Sequence, residues 1–252
     1  MNWFFINRSQ FAPNVFARKN FRREHNFRQK FRSAKLLPET QFTNYIDIYL
    51  IHIHEPLTPL EETAAALQHL IEQGKVCYVG FSNLPAWMVA RFVSLQEHLG
   101  YNKFIVGQMY YSQLWRDLEH ELVPGFEALG IGVMGWSPLA SGFLTGKYTR
   151  DNPTPMGTRQ EKFAFPPVDV EKGYNVVDVL KRIAENHDAT PAQVALAWTH
   201  TKAFMSTLLI GANNMAQLEP NLGAIDLEWV MGNGIYAKVG AKQKHLRRLG
   251  NG

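Results

Sequence analysis

From Tyr45 onward, short apolar runs rich in β-branched residues alternate with longer stretches whose apolar positions recur every three or four residues. That alternation predicts βα units feeding a parallel sheet. Ile46–Ile51 (IDIYLI) reads as a strand. A helix follows to Gln73, with Thr58 as its N-cap, Pro59 at the first helical position, acids in the first turn and Gly74 as its stop. Val76–Phe81 is the next strand, and Pro85 opens a helix that ends near Gly100. Phe104–Gln108 reads as a strand, Leu118–Leu129 as a helix closed by Gly130, and Gly132–Trp136 as a strand.

A Gly-, Pro- and Thr-rich stretch from Ser137 to about Val170 then predicts a long loop, of the kind that serves as a lid or binding segment. Helices are expected near Tyr174–Asn186 and over Pro191–His200, the second with Thr190 as N-cap and Pro191 at its first position. Phe204–Ile210 is the last strand and Met215–Gly223 the last clear helix. No sequence repeats and no low-complexity tract interrupt the pattern.

Five strands therefore follow residue 44. A closed parallel barrel takes eight strands, and each βα unit takes on the order of 30 residues. The first 44 residues can supply one further unit, a strand over Val15–Lys19 and a helix to about Leu37. The barrel is expected to be incomplete, with five or six recognisable units.

Charge divides the chain more sharply than its net value of +4 suggests. Residues 1–36 carry a balance of +8, residues 37–237 one of −9, and residues 238–252 one of +5. Basic ends can bind nucleic acid or anionic surfaces. They can also be segments foreign to the fold, left by a frameshift or a wrong start. The organisation expected is a basic N-terminal segment over 1–44, a barrel region over 45–228 and a basic tail over 229–252.

Cys77 is the chain's one cysteine, so no disulfide can form within it and a cytoplasmic setting is expected. In the apolar run KVCYVGF it reads as a buried filler. No stretch approaches the roughly 18 consecutive apolar residues of a membrane span, and the N-terminus lacks the h-region of a signal peptide.

Six segments, in order, resemble the aldo-keto reductase family, in particular its bacterial branch acting on small and aryl carbonyls. They are Tyr45–His52, Thr58–Thr63, Gln73–Asn83, Trp136–Tyr148, Thr190–Trp198, and Ile210–Ala212 with Gln217–Asn221. The resemblance implies an α/β fold of the TIM (β/α)8 type. It also implies NADP bound without a Rossmann glycine loop, and hydride transfer to an aldehyde or ketone. The chain's G-x-G-x-x-G match, Gly130–Gly135, closes an expected helix and runs into an expected strand, the reverse of the strand-then-helix setting of a Rossmann fingerprint, which argues against a Rossmann dehydrogenase.

Matched residue by residue, the resemblance gives His52 a catalytic role, donating a hydrogen bond to the substrate carbonyl oxygen. His54 and Glu55 fall on the pocket rim or on a solvated loop. Ser82, Asn83 and Gln108 would hold the nicotinamide carboxamide, which offers both a donor and an acceptor. Trp136 would stack on the nicotinamide ring. Ser137, Leu139, Gly142, Leu144 and Lys147 would wrap the pyrophosphate, with Arg159 a weaker candidate for the same clasp. Gly211, Ala212, Asn213, Gln217 and Asn221 match the segment around the adenosine 2′-phosphate. Gln217 stands where many members place a cation, so NADP preference rests on the resemblance and not on charge.

The family's acid is a tyrosine assisted by a lysine and an aspartate, all preceding the histidine strand. Here the first Asp is Asp47, the first Tyr is Tyr45 and the first Gly is Gly74, so the Asp and the Tyr-Gly motif are absent. Lys19, 33 residues before His52, is the candidate catalytic lysine, or one base among the nine of residues 1–36. General acid catalysis is typically worth about 10²–10⁴-fold, so turnover is expected to suffer.

After Trp229 the family pattern also ends, and both departures coincide with the basic blocks. That coincidence favours altered ends over nucleic-acid arms, and no nucleic-acid or membrane partner is expected. Two functions stay in play: a carbonyl reductase acting on small molecules, and a catalytically impaired cofactor-binding or regulatory module. Open strand edges would favour a homo-oligomer that covers them.

Overall fold

The computed structural model describes residues 2–7, 45–227, 229–232 and 235–238. The chain divides into two compact units. One comprises residues 11–109 and 117–134; the other comprises 1–10, 110–116 and 135–252. The strand Val15–Lys19 expected from the sequence, with Lys19, lies outside the described residues.

The first unit carries β2 (Ile46–Ile51), α1 (Leu60–Glu72), β3 (Val76–Ser82), α2 (Ala86–His98), most of β4 (Phe104–Tyr110), α3 (Leu122–Leu129) and the start of β5 (Gly132–Trp136). Strands β2, β3 and β4 are parallel neighbours. Helix α1 buries Ala64, Leu67 and Leu70, and ends where Gly74 takes φ +65°. Its start corrects the sequence reading. Thr58 does not cap it, because the Thr58 hydroxyl donates to the Glu55 carboxylate and Pro59 occupies the cap position.

Helix α3 is also shorter than expected. A separate 3-10 turn covers Asp117–Glu119, and α3 begins only at Leu122. Pro124 explains the break: its ring would clash with the carbonyl four residues earlier, so proline is tolerated only in a helix's first turn. At the other end Gly130 closes α3 with φ 69°.

The unit's core is aromatic. Phe81 contacts Phe104 at 5.2 Å and Phe126 at 5.4 Å, and Phe92 of α2 meets Phe104 at 4.6 Å. Cys77 is exposed, correcting the expectation of burial. It sits second in β3, beside a groove of about 380 Å³ that Asn102, Lys103 and Ile105 also line.

The second unit carries β1 (Asn2–Asn7), the end of β5, α4 (Arg159–Lys162), α5 (Val170–Asn186), α6 (Pro191–His200), β6 (Met205–Ala212), α7 (Met215–Leu222), β7 (Trp229–Gly232) and β8 (Ile235–Lys238). Its core gathers Leu114, Phe143, Leu144, Tyr148, Tyr174, Val177 and Val194. Phe143 and Tyr148 stack at 5.3 Å with 9° between their planes.

Helix α5 starts four residues ahead of Tyr174 because the Asp169 carboxylate caps it, accepting from the Lys172 N–H. In α6, Thr190 forms the expected cap, reinforced by Gln193 in a reciprocal capping box. The long loop is partly ordered into a 3-10 segment over Ala140–Thr145 and the short α4.

Two features of this unit went unread in the sequence. β1 pairs antiparallel with β6, from Asn2 opposite Ala212 to Asn7 opposite Thr207. β7 and β8 form an antiparallel pair, so the segment after Trp229 is not featureless. The architecture is an α/β fold of successive βα units, an incomplete TIM-type barrel. Among the described residues five such strands, β2 to β6, stand where a closed barrel takes eight.

Candidate functional site

In the first unit a β-bulge decides which side chains share a face. Val79 pairs with Phe104, but the next residue, Gly80, pairs with Val106, so Ile105 is the extra residue. A one-residue slip moves every later side chain to the other face. Beyond the bulge, Gly107 therefore pairs with Phe81 and Gln108 pairs with Ser82. The glycine is required there. A Cβ on Gly107 would lie 2.8 Å from Phe81 Cζ and 2.9 Å from Phe126 Cε2.

Ser82, Asn83 and Gln108 come together as expected. The buried Ser82 hydroxyl donates to the Gln108 carbonyl at 2.8 Å, and Asn83 Nδ2 donates to Ser82 Oγ at 2.9 Å. The Asn83 N–H also donates to the Gln108 carbonyl at 3.3 Å. Asn83 adopts φ 54°, a left-handed conformation that asparagine tolerates better than most residues. The half-buried Gln108 side chain places Nε2 3.5 Å from Met134 Sδ, a weak acceptor that leaves its donor capacity for a better partner.

His52 is exposed and follows β2 directly. The last ladder pair is Ile51 with Phe81, so His52 and Ser82 leave adjacent strands at the same end. Barrel active sites are built at that C-terminal end. Glu55 accepts from the Leu57 N–H at 3.0 Å and from the Thr58 hydroxyl. The hydrogen bond from Thr58, then that from Leu57, holds its carboxyl below the usual glutamate range, with a smaller contribution from His54. Glu55 thus closes its own turn, and His54 stands exposed beside it.

The second unit carries the other residues the resemblance singled out. Trp136 ends β5, and its carbonyl accepts from the Tyr111 N–H at 3.4 Å. Tyr110, which the sequence reading passed over, lies 4.9 Å from the indole with 31° between planes. Burial pushes the Tyr110 phenol up, opposed by its hydrogen bond with Ser112. Its position two residues beyond Gln108 in the strand was the available signal.

After Trp136 the backbone turns tightly. Ser137, Ala140, Ser141 and Gly142 have φ of 54°, 47°, 56° and 86°. The Ser137 carbonyl accepts from the Ala140 N–H, its hydroxyl accepts from the Ser141 N–H, and the Leu139 carbonyl accepts from both Gly142 and Leu144. Those N–H groups serve the turn itself. Leu144 is fully buried in the core, so its side chain is structural. Lys147 is exposed, with Nζ 3.2 Å from where a Cβ on Gly142 would stand. The Lys147 ammonium therefore stands against the Gly142 turn.

Further along, Thr158 Oγ1 and Gln160 Nε2 are buried with no hydrogen-bond partner among the described residues. Arg159 lies between them, its guanidinium 5.7 Å from the Phe163 ring. Gly211 and Ala212 end β6. The Asn213 N–H donates to Gln217 Oε1, and the Gln217 N–H donates to Asn214 Oδ1, both at 3.0 Å, so Gln217 and Asn214 cap α7 between them. Asn214 was not among the residues read from the sequence. Asn221 is half-buried near the end of α7.

The Aldo/keto reductase family model matches residues 28–230, and the chain belongs to that family. The match begins ahead of Tyr45. A probable aldo-keto reductase 1 of Glycine max is 32% identical over 181 residues, 72% of this chain and 51% of that protein. The L-glyceraldehyde 3-phosphate reductase of Escherichia coli K12 is 31% identical over 187 residues, covering 72% of this chain and 54% of its own. A putative voltage-gated potassium channel subunit beta of Schizosaccharomyces pombe is 32% identical over 189 residues, with 72% and 54% covered. The chain spans about half the length of these curated relatives. The family is one of oxidoreductases that generally use a nicotinamide cofactor and act on small molecules. Among the described residues no helix is long and apolar enough to cross a membrane, and no group of three or more His, Cys, Asp or Glu could hold a metal ion.

Proposed function

We propose that this chain binds NADP through the residues named above and supports hydride transfer to an aldehyde or ketone, with His52 polarising the carbonyl. The observation that carries the reading is the hydrogen-bonded set Ser82, Asn83 and Gln108, aligned by a bulge at the C-terminal ends of two parallel strands. The residues suit the cofactor on two further grounds. Gln108 Nε2 faces the Met134 sulfur, and the buried Thr158 Oγ1 and Gln160 Nε2 have no hydrogen-bond partner among the described residues.

In this reading Ser82, Asn83 and Gln108 orient the carboxamide, Trp136 supplies a flat surface, Lys147 and Arg159 offset diphosphate charge, and Asn213, Gln217 and Asn221 meet the adenosine end. Bound there, the reduced cofactor supplies the hydride. His52 would donate a hydrogen bond to the carbonyl oxygen as charge develops on it, which favours the transition state over the ground state, and the alkoxide left by hydride addition would take its proton from solvent water at this exposed position. The 2′-phosphate would be met by neutral amides, so discrimination against NAD is expected to be modest. The proposal extends to a small carbonyl substrate, to a cytoplasmic setting and to a homo-oligomer that covers the sheet edges.

A second reading, cofactor binding without turnover, is favoured by the absence of any Asp or Tyr before Tyr45. The test is NADPH oxidation in the presence of aldehydes by the wild-type chain and by His52→Ala. Slow turnover that His52→Ala reduces at least tenfold supports the reductase reading. Saturable NADPH binding with no turnover selects the second, and no binding refutes both.

A further inference from the structure

The indole that would receive the nicotinamide already has ring partners. Tyr110 lies 4.9 Å away on one count, and Phe165 lies 6.0 Å away at only 17° from parallel. The two are held very differently. Tyr110 ends strand β4, is half-buried, and its phenol oxygen accepts from the Ser112 hydroxyl at 3.4 Å. Phe165 comes from the long loop ahead of α5 and is 46% exposed.

What fixes Phe165 is its backbone. Its carbonyl accepts from the Ser141 hydroxyl, and its N–H donates to the Phe163 carbonyl at 2.9 Å. Its ring rests on the indole and on a tilted contact with Phe163 at 5.8 Å. A side-chain rotation therefore frees the indole without breaking either backbone hydrogen bond. The Ser141 link ties this ring to the turn whose consecutive left-handed residues lead to Lys147.

We propose that Phe165 is a place-holder for the nicotinamide ring on Trp136, and that it sets the chain's affinity for the dinucleotide by competing for the indole. The inference rests on the reading of Trp136 as the nicotinamide's stacking surface. A flat, near-parallel phenyl ring is the protein's own substitute for a flat heteroaromatic one. A competitor that occupies a site most of the time weakens the apparent affinity by the fraction of time the site is open. A stack of ordinary strength makes that factor about threefold to tenfold.

The test is equilibrium titration of the wild-type chain, Phe165→Ala and Phe165→Leu with NADPH, and in parallel with 2′-phospho-ADP-ribose, which lacks the nicotinamide ring. Circular dichroism establishes that each variant keeps the wild-type fold, and Phe165→Leu retains apolar bulk if Phe165→Ala does not fold. Both variants are expected to bind NADPH about threefold to tenfold more tightly, with no change for the ring-less analogue. Binding by a variant where the wild type shows none supports the proposal as well. Unchanged or weaker NADPH binding overturns it, as does equal tightening for both ligands. If the ring-less analogue binds all three chains and NADPH binds none more tightly than the analogue does, the nicotinamide site on Trp136 is itself refuted.

Discussion

Ser82 Oγ donates a 2.8 Å hydrogen bond to the carbonyl of Gln108, 26 residues further along the chain. The contact joins two strand ends, and it exists because one extra residue, Ile105, brings Gln108 opposite Ser82 rather than Gly107. Replacing Ser82 with Ala removes a buried donor and leaves a carbonyl that still accepts from the Asn83 N–H. The expected loss is about 0.5–1.5 kcal/mol of stability, measured by denaturant unfolding. NADPH affinity is expected to fall as well, since Asn83 loses the hydroxyl that receives its side-chain amide.

Gly107→Ala tests the face that the bulge creates. The new methyl would press into the rings of Phe81 and Phe126 at under 3 Å. Overpacking of this kind costs about 1–3 kcal/mol, more than the gain of up to about 1 kcal/mol from stiffening the unfolded chain. A net destabilisation of about 1 kcal/mol or more is expected in thermal unfolding. An unchanged midpoint would mean that the two rings do not meet there.

Gln96 is almost fully buried, and its side chain bridges the connection between α2 and β4. Nε2 donates to the Asn102 carbonyl at 2.9 Å, and Oε1 accepts from the Phe104 N–H at 3.2 Å. Gln96→Leu keeps the volume but strands the Phe104 N–H away from water. The expected cost is about 1–3 kcal/mol, against a near-neutral outcome if water reaches that amide.

Glu55 gives a pH signature. Its carboxyl is held below the usual range by Thr58 and Leu57, so the folded chain releases that proton more readily than the unfolded one. The turn's contribution is present above the ordinary glutamate value of about 4.3 and is lost as pH falls through the lower folded value. An NMR titration following the Leu57 amide is expected to show a midpoint below that ordinary value. A midpoint at or above it would show that the turn does not hold in solution.

The sequence carried the βα order because apolar period and punctuation agreed: Gly74, Gly130 and the Thr190–Pro191 start stand where they were expected. Local competition hid the rest. Thr58 had a nearer partner in Glu55, Pro124 cut a helix that periodicity alone would have continued, and Asp169 began α5 ahead of its first aromatic residue. The aromatic run NWFFIN and the Asn233-Gly234 pair between two β-prone runs were strand and hairpin signals that the basic charge of the flanking blocks obscured.

For the candidate site, motif order picked out Ser82, Asn83 and Gln108. It could not reveal that a bulge aligns them, nor that Tyr110 and Phe165 meet Trp136, since neither ring belongs to a motif. Gln217 and Leu144 show the opposite limit. Both have structural work in this fold, capping α7 and filling the core, beside any role toward a ligand.

Calorimetric titration of the wild-type chain and of Gln108→Leu with NADPH addresses the central claim most directly. Saturable binding at one site per chain is expected, weakened about tenfold in Gln108→Leu by loss of the amide that meets the carboxamide. Absence of saturable binding by the wild-type chain, or equal affinity in the variant, would contradict it.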